Sequence, residues 1–140
     1  MKMISIRQPY AWAVIFGGKD IENRTWTTNY RGLLAIHASK GGTVEEYEDN
    51  YRKHVRKHKL EPPKFSQAQR GGIIGIVELT DVVTKHSSRW FKRRWFSVNY
   101  GLVLEHPEPV DFYPCAGQPL PINTPEQWLA MLRSRGRFDV

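Results

Sequence analysis

Residues 72–83, GIIGIVELTDVV, do most to limit what this chain can become. Seven of these twelve residues are β-branched, so the run reads as a strand. It is about twice the usual strand length of roughly 5–6 residues. Gly75 inside it marks a bulge or a close approach by another part of the chain. Other strands gather around it. Leu33-Leu34-Ala35-Ile36 within residues 32–37 is a core strand by composition, and residues 3–6 alternate Ile4 and Ile6 with polar neighbours. Residues 21–26 and 100–105 also read as strands, and 109–113 as an edge strand between prolines.

Three helices complete the count. Gln8-Pro9 opens the first, whose stripe is Ala11, Val14 and Ile15 and whose stop is Gly17-Gly18. Thr43 with Glu46 is a capping-box signature for a helix reaching about residue 59. Val44, Tyr47, Tyr51 and Val55 form its apolar stripe, with Lys53, Arg56 and Lys57 on the opposite side. Thr124, Pro125 and Gln127 begin the last, with Trp128, Leu129 and Leu132 inward and Gly136 at its end. Five or six short strands and about three helices, in no regular βαβ alternation, predict an α+β fold around a small, partly open barrel. With 140 residues and no linker, the expectation is one domain over 1–140.

Composition removes several classes. The longest apolar stretch, residues 10–16, is far below the roughly 20 residues of a membrane span. The N-terminus has Lys2 but no apolar block with a cleavage pattern, and Cys115 is a lone cysteine. A cytoplasmic location is expected, with no membrane partner. Charge is more informative: 21 Lys and Arg against 14 Asp and Glu give +7. Residues 52–59 and 85–95 hold ten of those cations and no acid. Each run could be a solvated face, but two of them, one interleaved with aromatics, favour nucleic acid. Trp90-Phe91 and Trp95-Phe96 flank Lys92-Arg93-Arg94 either as core with a basic rim or as a stacking platform with phosphate clamps.

The densest chemistry lies at Lys19, Glu22 and Arg24. On an extended strand Glu22 and Arg24 share a face, and Lys19 can reach it from the preceding turn. The three form either a structural ion-pair network or a site, with an arginine fork for phosphate and a Glu–Lys pair able to exchange a proton. Trp12 reads as core or rim, Trp26 equally as rim or base stacker, and His37 as a satisfied core histidine. His54 and His58 have a metal-ligand spacing but no third ligand, so neither a metal nor a cofactor is expected.

Ser5-Ile6-Arg7-Gln8-Pro9-Tyr10-Ala11, with Gly17, Lys19, Glu22 and Arg24 in a Gly-x-Lys-x-x-Glu-x-Arg pattern, resembles the ASCH (activating signal cointegrator homology) domain family. Tyr30-Arg31-Gly32, Ile36-His37-Ala38-Ser39, the Gly72 to Leu79 segment and Tyr100 to Pro107 extend the likeness to about Tyr113. The resemblance implies a PUA-like β-barrel with an RNA cleft between barrel and first helix. It also implies three functions to choose among: ribonuclease, amidohydrolase of N-acylated nucleosides, or non-catalytic reader of RNA or modified bases. The amidohydrolase pattern has a threonine three residues after its lysine, where this chain has Glu22; Thr25 is out of register by one face. Relatives tend to carry Lys-Gly after the position of Pro114, where this chain has Cys115-Ala116-Gly117.

The expectation is therefore a binder of single-stranded RNA, with ribonuclease ahead of the amidohydrolase if it is an enzyme. Lys19, Glu22 and Arg24 are the candidate catalytic residues. Gln8, Trp26, Arg31, Lys53, Arg56, Lys57, Arg89, Lys92, Arg93 and Arg94 are the candidate nucleic-acid contacts. For cleavage, Glu22 or neutral Lys19 would activate the ribose hydroxyl, and Arg24 with Lys53 would stabilise the phosphorane.

Overall fold

The computed structural model describes residues 1–94 and 97–136. Its strands are β1 (Lys2–Ile6), β2 (Ile21–Arg24), β3 (Gly32–Ala38), β4 (Gly72–Val83), β5 (Tyr100–Pro114) and β6 (Ile122–Asn123). They form one mixed sheet in the order β2-β5-β4-β3-β1-β6. Helices α1 (Tyr10–Phe16), α2 (Val44–Asn50) and α3 (Glu126–Arg135) complete an α+β fold. Among the described residues the sheet is not closed, with β2 and β6 as its edges; the expectation was an α+β fold around a small, partly open barrel. No described helix is long and apolar enough to cross a membrane.

Both sheet faces are covered. Ile4, Ile6, Leu34, Ile36, Ile74 and Val77 pack with Ala11, Val14 and Ile15 of α1. Met3, Ala35, Ile73 and Ile76 pack on the other face with Trp128 and Leu132 of α3. Simple alternation cannot send Ile73 and Ile76, three apart, to one face. The pairing explains how they get there: Ile36 opposes Gly75 while His37 opposes Ile73, which leaves Ile74 as the extra residue of a bulge. Gly75 is also the place of close approach, since a Cβ there would strike the Ile15 side chain and lie 2.8 Å from the Glu108 carbonyl oxygen. Gly75→Ala should therefore cost about 1–3 kcal/mol in a urea titration. An unchanged midpoint would mean that α1 can step back from the sheet.

Two expected strands, 100–105 and 109–113, are one strand, β5. Among the described residues only β4 pairs with it beyond Val103, so Pro107 and Pro109 break no described ladder on its outer side. The expected helix over 43–59 also changes. Thr43 caps it by accepting from the Glu46 amide at 3.2 Å, but the Glu46 carboxylate turns to Arg7, 2.7 Å away. After Asn50 the chain widens into a π-helical turn, Tyr51–Val55, then tightens into a 3₁₀ turn, Arg56–His58. Tyr47 and Val55 are buried and Tyr51 half-buried as expected, but Val44 is exposed because the first turn overhangs the core.

Candidate nucleic-acid interface

Helix α1 stops at Gly17, and Gly18 takes the left-handed φ of +74° that glycine adopts without strain. The Lys19 amide then donates to the Ala13 carbonyl at 3.0 Å, which turns the lysine inward. Strand β2 pairs with β5 through Glu22 opposite Leu102 and Arg24 opposite Tyr100. Glu22 and Arg24 fall on one face, as their spacing predicts. Lys19 Nζ lies 3.6 Å from Glu22 Oε1, and an Arg24 guanidinium nitrogen lies 3.5 Å from Glu22 Oε2. The lysine also donates to the Ile21 carbonyl, and the Asn23 amide donates to Glu22 Oε1 at 3.2 Å. Lys19 and Glu22 are buried, yet Glu22 Oε2 has no hydrogen-bond partner.

Arg24 is drawn the other way. It donates to the Ser5 carbonyl at 2.7 Å and the Pro119 carbonyl at 3.2 Å. The segment it holds is fixed further by the Cys115 amide on Gly71 and the Ser5 amide on Gln118. His37 donates from Nε2 to the Cys115 carbonyl at 2.6 Å; a carbonyl only accepts, so Nδ1 takes the Ser5 hydroxyl proton bond at 2.5 Å. His37 is thus a satisfied interior histidine. A Cβ on Gly117 would collide with both side chains. This is how the Cys115-Ala116-Gly117 edge closes against β1 and β3.

The second basic run is hung from Asn23. Its side chain donates to the Trp90 carbonyl at 3.0 Å and accepts from the Lys92 amide and the Asn99 side chain, both at 2.9 Å. Asn99 in turn accepts from Arg94 Nε at 3.1 Å. Trp90 is thereby buried, and its ring stacks on His58 of the first basic run, 3.7 Å apart and 25° from parallel. Lys19 Nζ sits 5.6 Å from the same indole. A cavity of about 370 Å³ opens between the two runs, walled by Tyr10, Lys19, Glu22, Asn23, His54, Lys57, His58, Arg89, Trp90, Phe91, Lys92 and Arg94.

Of the expected residues, the cavity collects Lys19, Glu22, Lys57, Arg89, Lys92 and Arg94. Arg93 lines a neighbouring depression with Lys85 and His86. Lys53 pairs with Asp49 at 3.0 Å, and neither it nor Arg56 reaches the cavity wall. Gln8 is buried: its amide donates to the Gln69 carbonyl at 2.9 Å and accepts from the Trp12 amide at 2.8 Å. Arg31 is bound to the Thr28 and Tyr30 carbonyls, and Trp26 leans on the core beneath Arg24. Trp95 and Phe96 lie outside the described residues. Sequence reasoning gave no role to Asn23 or Asn99, nor to Tyr10 as a wall. Asn23, inside the charged motif, and Tyr10, inside the Arg-Gln-Pro-Tyr-Ala segment, carried a signal; Asn99 did not.

The cavity is a place where charge is costly to hold. Burial lowers the Lys19 pKa, although Glu22 pulls it back up. Tyr10 is raised to about 12, by burial first and then by Glu22 and Asp49. His54 is lowered by burial and then by Lys92, Lys57 and Lys53; His58 by burial and then by Arg89, Lys57 and Lys19. Both histidines bind protons less readily folded than unfolded, so stability is lost as pH falls from 6.5 towards their lowered values. His58→Phe keeps a ring on Trp90 without the titration. Its melting temperature should fall less between pH 7.5 and pH 5 than that of the wild type; equal falls would refute the assignment.

The family model for the ASCH domain matches residues 4–110. The chain belongs to the ASCH domain family. That places it in the PUA-like superfamily. The match covers β1 through most of β5, so the strap after Pro114 and α3 lie beyond it. No curated protein matches the chain. In this ASCH domain no serine or threonine among the described residues lines the cavity, and Thr25 is exposed beyond the end of β2.

Proposed function

We propose that this ASCH domain binds single-stranded RNA across the cavity between residues 52–59 and 85–94. One observation carries the reading: both acid-free runs, far apart in sequence, supply exposed cations to one opening, Lys57 from the first and Arg89, Lys92 and Arg94 from the second. Exposed cations around a common opening suit a flexible polyanion, because each phosphate contact releases condensed counterions. About five contacts on a single strand give a log–log salt slope of about −3.5. A fluorescence-anisotropy titration with an unstructured oligonucleotide tests this; a flat salt response would mean the runs are ordinary solvated surface.

The buried Lys19–Glu22 pair favours a second step, cleavage of the bound strand. Glu22, or Lys19 in its neutral form, takes the proton of a ribose 2′-hydroxyl, whose oxygen attacks the neighbouring phosphorus; the P–O5′ bond breaks and the departing 5′-oxygen receives that proton back. Arg24 and Lys53 are poor candidates for holding the phosphorane, since two carbonyls occupy one and Asp49 the other. Lys57 and Arg89 suit that part. Cleavage should leave 2′,3′-cyclic phosphate ends and vanish in Lys19→Ala. RNA recovered intact after long incubation with the wild type would leave a binder only. A cavity wall without a serine or threonine hydroxyl speaks against the amidohydrolase.

A further inference from the structure

We propose that Lys19 is an amine nucleophile towards the sugar aldehyde of a base-free nucleotide. The proposal rests on the reading that a nucleic-acid strand occupies the cavity, and it adds what the cavity does to a damaged strand. A base-free site in RNA or DNA exposes a C1′ aldehyde when its sugar ring opens, and both sources offer the same chemistry.

Three features of the cavity point to a sugar rather than a base. The Trp90 ring is stacked by His58 and only 7% exposed, so it offers a base little ring face. Three buried polar atoms of its lining side chains have no hydrogen-bond partner: Glu22 Oε2, Trp90 Nε1 and His58 Nε2. A carboxylate oxygen accepts and an indole N–H donates, and a sugar hydroxyl has the chemistry to answer both. The volume of about 370 Å³ suits a small ligand, and the cations on the rim fit the two flanking phosphates.

Lysine amines become nucleophilic when buried away from water or placed beside other cations. Lys19 has both conditions, with Arg24 the cation acting on it and burial lowering its hold on the proton. Glu22, 3.6 Å away, is placed to take that proton. The amine then adds to the aldehyde carbon: a C–N bond forms and the carbonyl π bond breaks. After a proton moves from nitrogen to oxygen, the Glu22 acid returns its proton to the hydroxyl, which leaves as water. The product is a protonated imine whose positive charge replaces that of the ammonium, and Glu22 is again a carboxylate. No oxidant or reductant enters; the linkage reverses by adding water.

The test is reductive trapping. The full chain is mixed with a single-stranded oligonucleotide holding one base-free site, as RNA and as DNA in separate arms, and treated with cyanoborohydride. The expected result is a one-to-one covalent adduct, mapped by peptide mass spectrometry to Lys19, in one arm or both. The arm that reacts identifies the source. Lys19→Arg keeps the charge and should lose the adduct while melting as a folded protein. Adducts spread over exposed lysines such as Lys57 and Lys92, or no adduct, would overturn the proposal. Anisotropy with the same strand carrying all its bases reads the RNA-binding step separately. Binding without trapping sinks this inference alone, whereas trapping of a short aldehyde without strand binding sinks the nucleic-acid reading and, with it, the base-free strand as the target.

Discussion

Changing Lys57, Arg89, Lys92 and Arg94 together to glutamine should weaken single-stranded RNA binding by two to three orders of magnitude at 0.1 M salt. All four are exposed and stand on the rim of one cavity. Each phosphate contact on a single strand contributes about 0.7 to the salt slope, so four lost contacts shrink it by about 2.8. Extrapolated tenfold down from a 1 M reference, the same exponent is a loss of about 10^2.8 in affinity. The fold should survive, because exposed substitutions are usually within about 0.5 kcal/mol each. Arg94 also donates to Asn99, so a thermal melt accompanies the titration. Lys53→Gln with Arg56→Gln is the contrast, since neither lines the cavity and Lys53 already has Asp49. If that pair weakens binding as much as the rim variant, the strand follows the outer face of the α2 extension and the cavity is not its path.

The contrast shows where sequence reasoning stopped. A period of 3.6 makes Lys53, Arg56 and Lys57 equivalent cations on one outer face. A π-helical turn followed by a 3₁₀ turn cannot be read from hydrophobic spacing, and only Lys57 reaches the cavity. Local rules did well where local physics decides. Period two put Glu22 beside Arg24, glycine at position 75 marked the bulge and the close approach to α1, and Thr43 capped its helix. What stayed hidden depends on contacts distant in the chain. Asn23 meets Trp90, Lys92 and Asn99 about 70 residues on, and Arg24 is claimed by Ser5 and Pro119. How far the partly open barrel closes is the same kind of fact, since closure depends on how the edge strands meet.

Glu22→Gln should be the most damaging isosteric change in the chain, costing about 3 kcal/mol in a urea titration near pH 7. Removing one member of a buried ion pair typically costs about 3–5 kcal/mol, because the other charge is left unsolvated. Lys19 is that other charge, with side-chain exposures of 4% for the lysine and 10% for the carboxylate. The low end is expected because Lys19 can shed its proton instead. Burial already lowers its pKa, and Glu22 is the largest influence raising it, so the variant lowers it further. A lysine whose folded pKa lies below its unfolded value makes stability rise with pH between the two. The deficit of Glu22→Gln should therefore shrink as pH is raised, and the Lys19→Met/Glu22→Gln double variant should recover part of it at every pH. The cycle built from the two singles and the double isolates the coupling. A single variant as stable as wild type, or a deficit that does not change with pH, would mean that Lys19 is held by the Ile21 carbonyl and not by Glu22.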